Sequence, residues 1–184
     1  MSVCSTHLFE TDLGWIGMAW SHLGVTRLFL PDRREKVERR LATLPETSTP
    51  SRAAAHDIAA TIEAVRAYAA GAATEFSAVA LDLSGVDAFR LAIYHAARQL
   101  KSGEISTYGE LAARAGYPGL ARETGRALGS NPVPLIVPCH RILAAGGKIG
   151  GFSAPGGAAT KQKMLALEGV RIGPPEPAQH AFGF

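Results

Sequence analysis

Between His7 and Pro31 the apolar positions fall in short runs: Leu8 and Phe9, then Trp15, Ile16, Met18 and Trp20, then Val25, Leu28, Phe29 and Leu30. Asp12-Leu13-Gly14 and His22-Leu23-Gly24 separate them. Runs of this kind, broken by glycine-containing turns, predict three antiparallel strands. The spacing then lengthens. Val37, Leu41 and Leu44 step by four and three, and Asp32 stands three residues before Glu35 as N-cap and N3, so a helix follows the third strand. Pro45 to Arg52 reads as a Pro/Ser/Thr linker, and Ile58, Ile62, Val65 and Ala69 predict a second helix stopped at Gly71.

After Gly85 the pattern turns helical. Phe89, Leu91, Ile93, Ala96, Ala97 and Leu100 describe one long helix closed at Gly103. Thr107 and Glu110 have capping-box spacing ahead of Leu111 and Ala115, Gly116 to Gly119 is a turn, and Leu120 to Leu128 supplies a second short helix. Two short helices joined by such a turn predict a helix-turn-helix, whose second helix enters a DNA groove, although many such pairs are plain core packing. Here the second helix sets Arg122 and Arg126 among Ala, Thr and Gly125, so its backbone can approach another surface while an arginine reaches out. Glu123 should face away from phosphates.

Composition and charge narrow the class. With 184 residues, 47% hydrophobic and 19% charged, the chain is long enough to bury a core without disulfide or metal staples. Its two cysteines, Cys4 and Cys139, are too few for a secreted scaffold. No run reaches the roughly 18 apolar residues that span a bilayer, and Met1 to Glu10 has no signal-like pattern, so a cytoplasmic protein without membrane contact is expected. The formal net charge of +3 is uneven: residues 1–85 carry 8 Lys and Arg against 10 Asp and Glu, residues 86–184 carry 11 against 6. A positive field confined to one half points to a polyanionic partner there. The expected organisation is an N-terminal α/β domain over 1–85, a second domain over 86–172 and a Pro-rich, disordered tail over 173–184.

The chemistry concentrates in Asn131-Pro132-Val133-Pro134-Leu135-Ile136-Val137-Pro138-Cys139-His140-Arg141-Ile142. An apolar run hemmed by prolines is stiff and short of backbone donors, which suits the wall of a fixed pocket. A thiol at its end becomes nucleophilic as its thiolate, and a neighbouring imidazole with local positive charge from Arg141 lowers the cost of forming it. If the segment is extended, adjacent side chains diverge and His140 reaches Cys139 through a water. The imidazole needs an acid to fix its tautomer, and Glu168, ahead of Gly169 at a helix end, is the acid best placed for it. Buried, inert packing is the bland alternative for a Cys-His pair. A cysteine hydrolase or thiol oxidoreductase using Cys139 and His140 finds no Cys-x-x-Cys and no protease-like context, and a non-catalytic DNA-binding module would have no use for the thiol. Turnover separates these readings: many for a hydrolase, one for a stoichiometric acceptor, none for a sensor.

Pro138-Cys139-His140-Arg141-Ile142, preceded by Asn131-Pro132 and apolar residues, resembles the signature of the O6-alkylguanine-DNA alkyltransferases, closely over residues 86–172 and loosely over 7–85. The resemblance implies an α+β fold: a small ribonuclease-H-like N-terminal domain with a three-stranded antiparallel sheet, then a mostly helical, winged-helix-like domain carrying the helix-turn-helix. It implies DNA repair: irreversible transfer of the alkyl group from O6-alkylguanine, with O4-alkylthymine as a further candidate substrate, in double-stranded DNA to the protein's own cysteine, once per molecule, after base flipping. By the same resemblance Cys139 is the acceptor, His140 the water-linked base and Glu168 its orienting acid, while Asn131 braces the active-site turn. Tyr108 hydrogen-bonds the flipped guanine. Ser153 and Lys161 match the active-site loop and the helix after it, although the loop through Gly157 is longer than in some members. Arg122 fills the vacated base stack, and Gly125 lets its helix lie close to DNA. Arg126 and Arg141 join the DNA-binding set, and Pro134 and Ile142 bound the room for the alkyl group. Ala88-Phe89-Arg90 and Tyr94 depart from the family's usual Pro-Phe-Gln and Trp. Some members hold zinc with two cysteines and two histidines; only Cys4, His7 and His22 are candidates here, so no metal, no cofactor and a monomer are expected.

Overall fold

The computed structural model describes residues 5–45 and 55–172. Cys4, all but the first residue of the Pro45–Arg52 linker and the 173–184 tail lie outside them. Strands β1 (Ser5–Thr11), β2 (Gly14–Trp20) and β3 (Val25–Asp32) form one antiparallel sheet in that order, with Phe9 opposite Ile16 and Met18 opposite Leu28. Helix α1 (Arg34–Leu41) lies against β2, where a Cβ on Gly17 would stand only 2.7 Å from Val37 and 3.0 Å from Leu41. A glycine is what lets helix and sheet approach so closely. Side chains alternate across a strand, so Ile16 and Met18 face the other way. They join Val65 and Tyr68 of helix α2 (Ala55–Ala69) in the core.

Two details of the first helix differ from the expected pattern. Asp32 is still in the sheet, paired with Trp15, so the N-cap falls on Arg33, which makes no side-chain cap. The Asp32 carboxylate instead accepts the Arg33 N–H at 2.8 Å and pairs with Arg40 at 3.3 Å. The helix ends at Leu41, and Leu44 falls in the turn beyond it.

The second half begins with α3 (Ala88–Arg98), capped by Asp87, whose side chain accepts the Arg90 N–H. The expected long helix therefore stops short of Leu100, which is nevertheless buried. Strand β4 (Ser106–Thr107) leads into α4 (Tyr108–Arg114), where Thr107 and Glu110 form the anticipated capping box. A turn then carries the chain into α5 (Ala121–Gly129). Thr124, Ala127 and Leu128 face inward, while Arg122 and Arg126 are exposed. The Tyr94 hydroxyl, donating to the Ala127 carbonyl at 2.9 Å, pins α5 to α3. Beyond the proline-rich loop, β5 (Ile142–Leu143) pairs in parallel with β4, and α6 (Ala158–Leu167) closes the described chain.

One apolar core runs across Gly85 from Phe9 to Met164. The halves are also tied by polar contacts: the Leu28 N–H on β3 donates to Pro132 O at 2.9 Å, and Arg98 caps the carbonyls of Phe76, Ser77 and Val79. Among the described residues no helix is long and apolar enough to cross a membrane.

Candidate active site

The loop from Asn131 to Pro138 is held from inside. Asn131 Nδ2 donates to Val137 O at 2.9 Å while its Oδ1 accepts the Val133 N–H at 3.0 Å, so one side chain braces both ends. Val133, Leu135, Ile136 and Val137 are buried. Leu135 sits at φ +77°, a left-handed conformation unfavourable for a leucine and maintained only where the surroundings fix it. The brace and the tether to β3 supply that fixing.

Cys139, His140 and Arg141 form a single 3-10 turn, not the extended segment anticipated from the prolines. The cause is local: the Cys139 N–H bonds Val137 O at 2.8 Å and the Arg141 N–H bonds Pro138 O at 3.0 Å, which curls the chain as it leaves Pro138. The turn sends His140 and Arg141 into the core. Arg141 is buried, with Nε donating to Glu168 Oε2 at 2.9 Å, one terminal nitrogen to Glu168 Oε1 at 3.0 Å and the other to the Leu100 carbonyl. Its guanidinium is committed to these partners, which corrects the expectation of an arginine facing DNA or lending positive charge directly to the thiol.

His140 Nε2 lies 2.7 Å from Glu168 Oε1, and Nδ1 has no hydrogen-bond partner. With Glu168 ionised, Nε2 carries the proton and donates, leaving Nδ1 as a bare acceptor. The acid is well supplied with donors: besides His140 and Arg141, the Gly103 N–H reaches Oε2 at 3.2 Å and the Tyr68 hydroxyl reaches Oε1 at 3.2 Å. Burial pushes the carboxyl up, but hydrogen bonds and charge from His140 and Arg141 outweigh it and hold Glu168 at about 2.

A carboxylate held below its unfolded value of 4.5 stabilises the fold above that pH and loses the contribution as pH falls toward 2. The shift corresponds to roughly 3 kcal/mol. Urea midpoints of the wild type should exceed those of Glu168→Gln at pH 6, and the gap should narrow to about a quarter of that by pH 2.5 and vanish only below pH 2. A gap that stays constant would assign the acid sensitivity to another group.

Cys139 is 8% exposed and lies at the boundary of two cavities. One, of about 480 Å³, is lined by Tyr108, Gly125, Leu128, Phe152 and Ser153; the other, of about 430 Å³, by Pro134, Asn131, Pro155 and the β3 residues Arg27 to Leu30. A Cβ on Gly125 would point at the Tyr108 ring from 3.8 Å, within the first cavity. The Ser153 hydroxyl donates to Gly129 O at 3.0 Å and fastens the loop after β5 to the end of α5. Lys161 is wholly buried, donates to the Ile142 carbonyl and stands 5.8 Å over the Tyr108 ring and 6.0 Å over Phe152. Burial brings its ammonium down to about 8 despite the opposing pull of the Cys139 charge.

Burial also pushes the Cys139 thiol up, against the lowering contributions of Asn131, Lys161 and nearby backbone N–H groups, and pushes the His140 imidazole down. The resting pair is therefore a neutral thiol beside a neutral imidazole. Burial, followed by the Cys139 charge, raises Tyr108, which keeps its phenol protonated and able to donate.

The structure thus brings Cys139, His140, Glu168, Asn131, Tyr108, Ser153, Lys161, Pro134 and Gly125 together, and leaves Arg122 and Arg126 on the outer face of α5. Sequence reasoning missed Tyr68. Its signal was present, since it lies on the apolar stripe of α2, where a buried hydroxyl needs a polar partner. Lys161 was matched by likeness, but nothing in its neighbourhood foretold complete burial.

Comparison with known proteins adds four findings. The DNA-binding domain model of the 6-O-methylguanine DNA methyltransferase family matches residues 88–170. A methylated-DNA--protein-cysteine methyltransferase of Mycolicibacterium paratuberculosis is 40% identical over 139 residues, 73% of this chain and 82% of the relative. The crystal structure of the Mycobacterium tuberculosis O6-methylguanine methyltransferase superposes with TM-score 0.68 at 32% identity, over 94% of this chain and 97% of that one. The M. tuberculosis OGT in complex with DNA superposes with TM-score 0.67 at 32% identity, over 89% and 91%.

Proposed function

The chain belongs to the O6-methylguanine-DNA methyltransferase family, and from that membership we propose that it repairs alkylated double-stranded DNA by taking the alkyl group of O6-alkylguanine onto Cys139. The observation that carries the assignment to this residue is the thiol at the boundary of the Tyr108–Ser153 cavity, next in sequence to an imidazole whose Nε2 is tied to Glu168 and whose Nδ1 is unpartnered. The DNA-bound M. tuberculosis relative supports DNA as the partner. The exposed Arg122 and Arg126 on α5 support that helix as the contact.

A duplex hides the O6 substituent, so the nucleotide must leave the stack for the cavity, at a cost of a few kcal/mol. Sγ then attacks the alkyl carbon. The carbon–O6 bond breaks and its electron pair passes to the guanine, while the thiol proton goes to His140 Nδ1 through a water. The phenol of Tyr108 donates to the departing base as its negative charge develops. The positive charge of Lys161 lowers the cost of negative charge on Sγ. The product is a thioether without a good leaving group, and no residue at the site is arranged to hydrolyse it, so one molecule acts once.

Incubating the protein with a duplex carrying one O6-methylguanine and weighing it intact should reveal a gain of one methyl, confined to the peptide that contains Cys139. With substrate in excess, the yield should stop at one equivalent. Continued turnover would favour a hydrolase, and no gain would reject the transferase reading.

A further inference from the structure

We propose, on the foundation of that reading, that Tyr68 is a positioning residue of the acceptor site. Its hydroxyl, delivered by α2 from the N-terminal half, holds the Glu168 carboxylate and thereby sets how strongly His140 binds the proton given up by Cys139. Tyr68 is buried, and its Oη lies 3.2 Å from Glu168 Oε1, 3.2 Å from Met164 O and 3.5 Å from His140 Nε2. A phenol has one proton to give. Were it given to the neutral Met164 carbonyl, the phenol lone pairs would face an anionic oxygen in a buried site, so the carboxylate takes it.

Oε1 then accepts from three donors: His140 at 2.7 Å, Arg141 at 3.0 Å and Tyr68 at 3.2 Å. Each donor withdraws electron density that would otherwise strengthen the bond to His140. The charged and titratable groups around the imidazole are Glu168 at the end of α6, Lys161 within α6, Arg141 and Cys139 on its own turn, and Tyr68 from α2. Lys161 and Arg141 oppose an imidazolium; Glu168 alone favours it. Tyr68 moderates that one favourable partner. Residues 88–170, the span of the family's DNA-binding domain, therefore lack one donor of their own relay, and the N-terminal half completes it.

Removing the hydroxyl leaves Glu168 a stronger acceptor and His140 a stronger base. In Tyr68→Phe the His140 titration, followed by NMR on protein with 15N-labelled histidine, should move up by about half a pH unit. The acid limb of the transfer rate should move with it, about threefold slower below the limb and within about twofold on the plateau. Replacing Tyr68 by 3-fluorotyrosine keeps the ring and strengthens the donor, so it should move both downward; if the Phe variant does not fold, this arm decides alone. Phe76→Leu, which loosens the ring packed edge-on against Tyr68 at 6.0 Å, should leave the titration in place. The inference is overturned if the Tyr68 changes leave the His140 titration where the wild type has it, or if Phe76→Leu moves it equally. A wild type that gains no methyl overturns the proposed function instead, and the NMR titration still decides Tyr68.

Discussion

Cys139→Ala protein is expected to gain no methyl from O6-methylguanine duplex over times in which the wild type reaches one equivalent, while binding duplex with unchanged affinity. The first half follows from the site. No other thiol lies among the described residues, and the other polar side chains lining the Tyr108–Ser153 cavity are a phenol and a hydroxyl, neither a comparable nucleophile at neutral pH. The second half follows from the separation of thiol and surface: Cys139 is 8% exposed, while Arg122 and Arg126 lie on the outer face of α5 and are untouched by the change. Losing one buried sulfur should lower stability by only about 1 kcal/mol, which a urea titration separates from the chemical effect. Cys139→Ser should be equally inactive, because a buried hydroxyl gives up its proton far less readily than a thiol. Since burial holds the resting thiol neutral, wild-type Cys139 should also react slowly with iodoacetamide, its reactivity appearing when the alkyl carbon is in place. Methyl transfer by Cys139→Ala would withdraw the acceptor assignment.

Local chemistry was legible in the sequence wherever neighbours in the chain decide it. The Thr107–Glu110 capping box, the strand runs of β1 to β3 and the braced proline loop all depend on residues within a few positions of one another. Pairing Glu168 with His140 was also within reach, because acids are scarce in the second half and this one precedes a helix-ending glycine. What escaped depends on contacts distant in sequence. Tyr68 meets Glu168 across 100 residues, and Leu28 meets Pro132 across the sheet edge, neither foretold by any local pattern. Asp32 had the right spacing for a cap, yet pairing with Trp15 kept it in the strand. Arg141 reads as a surface cation by residue type, and only the 3-10 turn, formed because the chain curls after Pro138, carries it to Glu168.

Arg122→Ala should separate recognition from chemistry. In the proposed role this side chain enters the stack in place of the flipped nucleotide, offsetting part of the unstacking cost. The structure supports its availability: Arg122 is exposed on the first turn of α5, and no salt bridge or hydrogen bond within the described residues occupies its guanidinium. Its removal should slow single-turnover transfer from duplex about a hundredfold, near 3 kcal/mol, since the base must then unstack uncompensated. Free O6-benzylguanine needs no flipping and should react within about twofold of the wild-type rate. A simple phosphate contact behaves otherwise: its loss weakens binding to every duplex alike and reduces the salt slope by about one unit. Arg126→Ala, one turn further along the same exposed face, serves as the comparison for that effect. Single-turnover rates on both substrates at two salt concentrations therefore resolve three outcomes. Slowing on duplex alone, insensitive to salt, assigns Arg122 to the stack; slowing on duplex that vanishes at saturating protein assigns it to the phosphates; and equal slowing on duplex and free base means that Arg122 supports the cavity itself, which removes the stacking role.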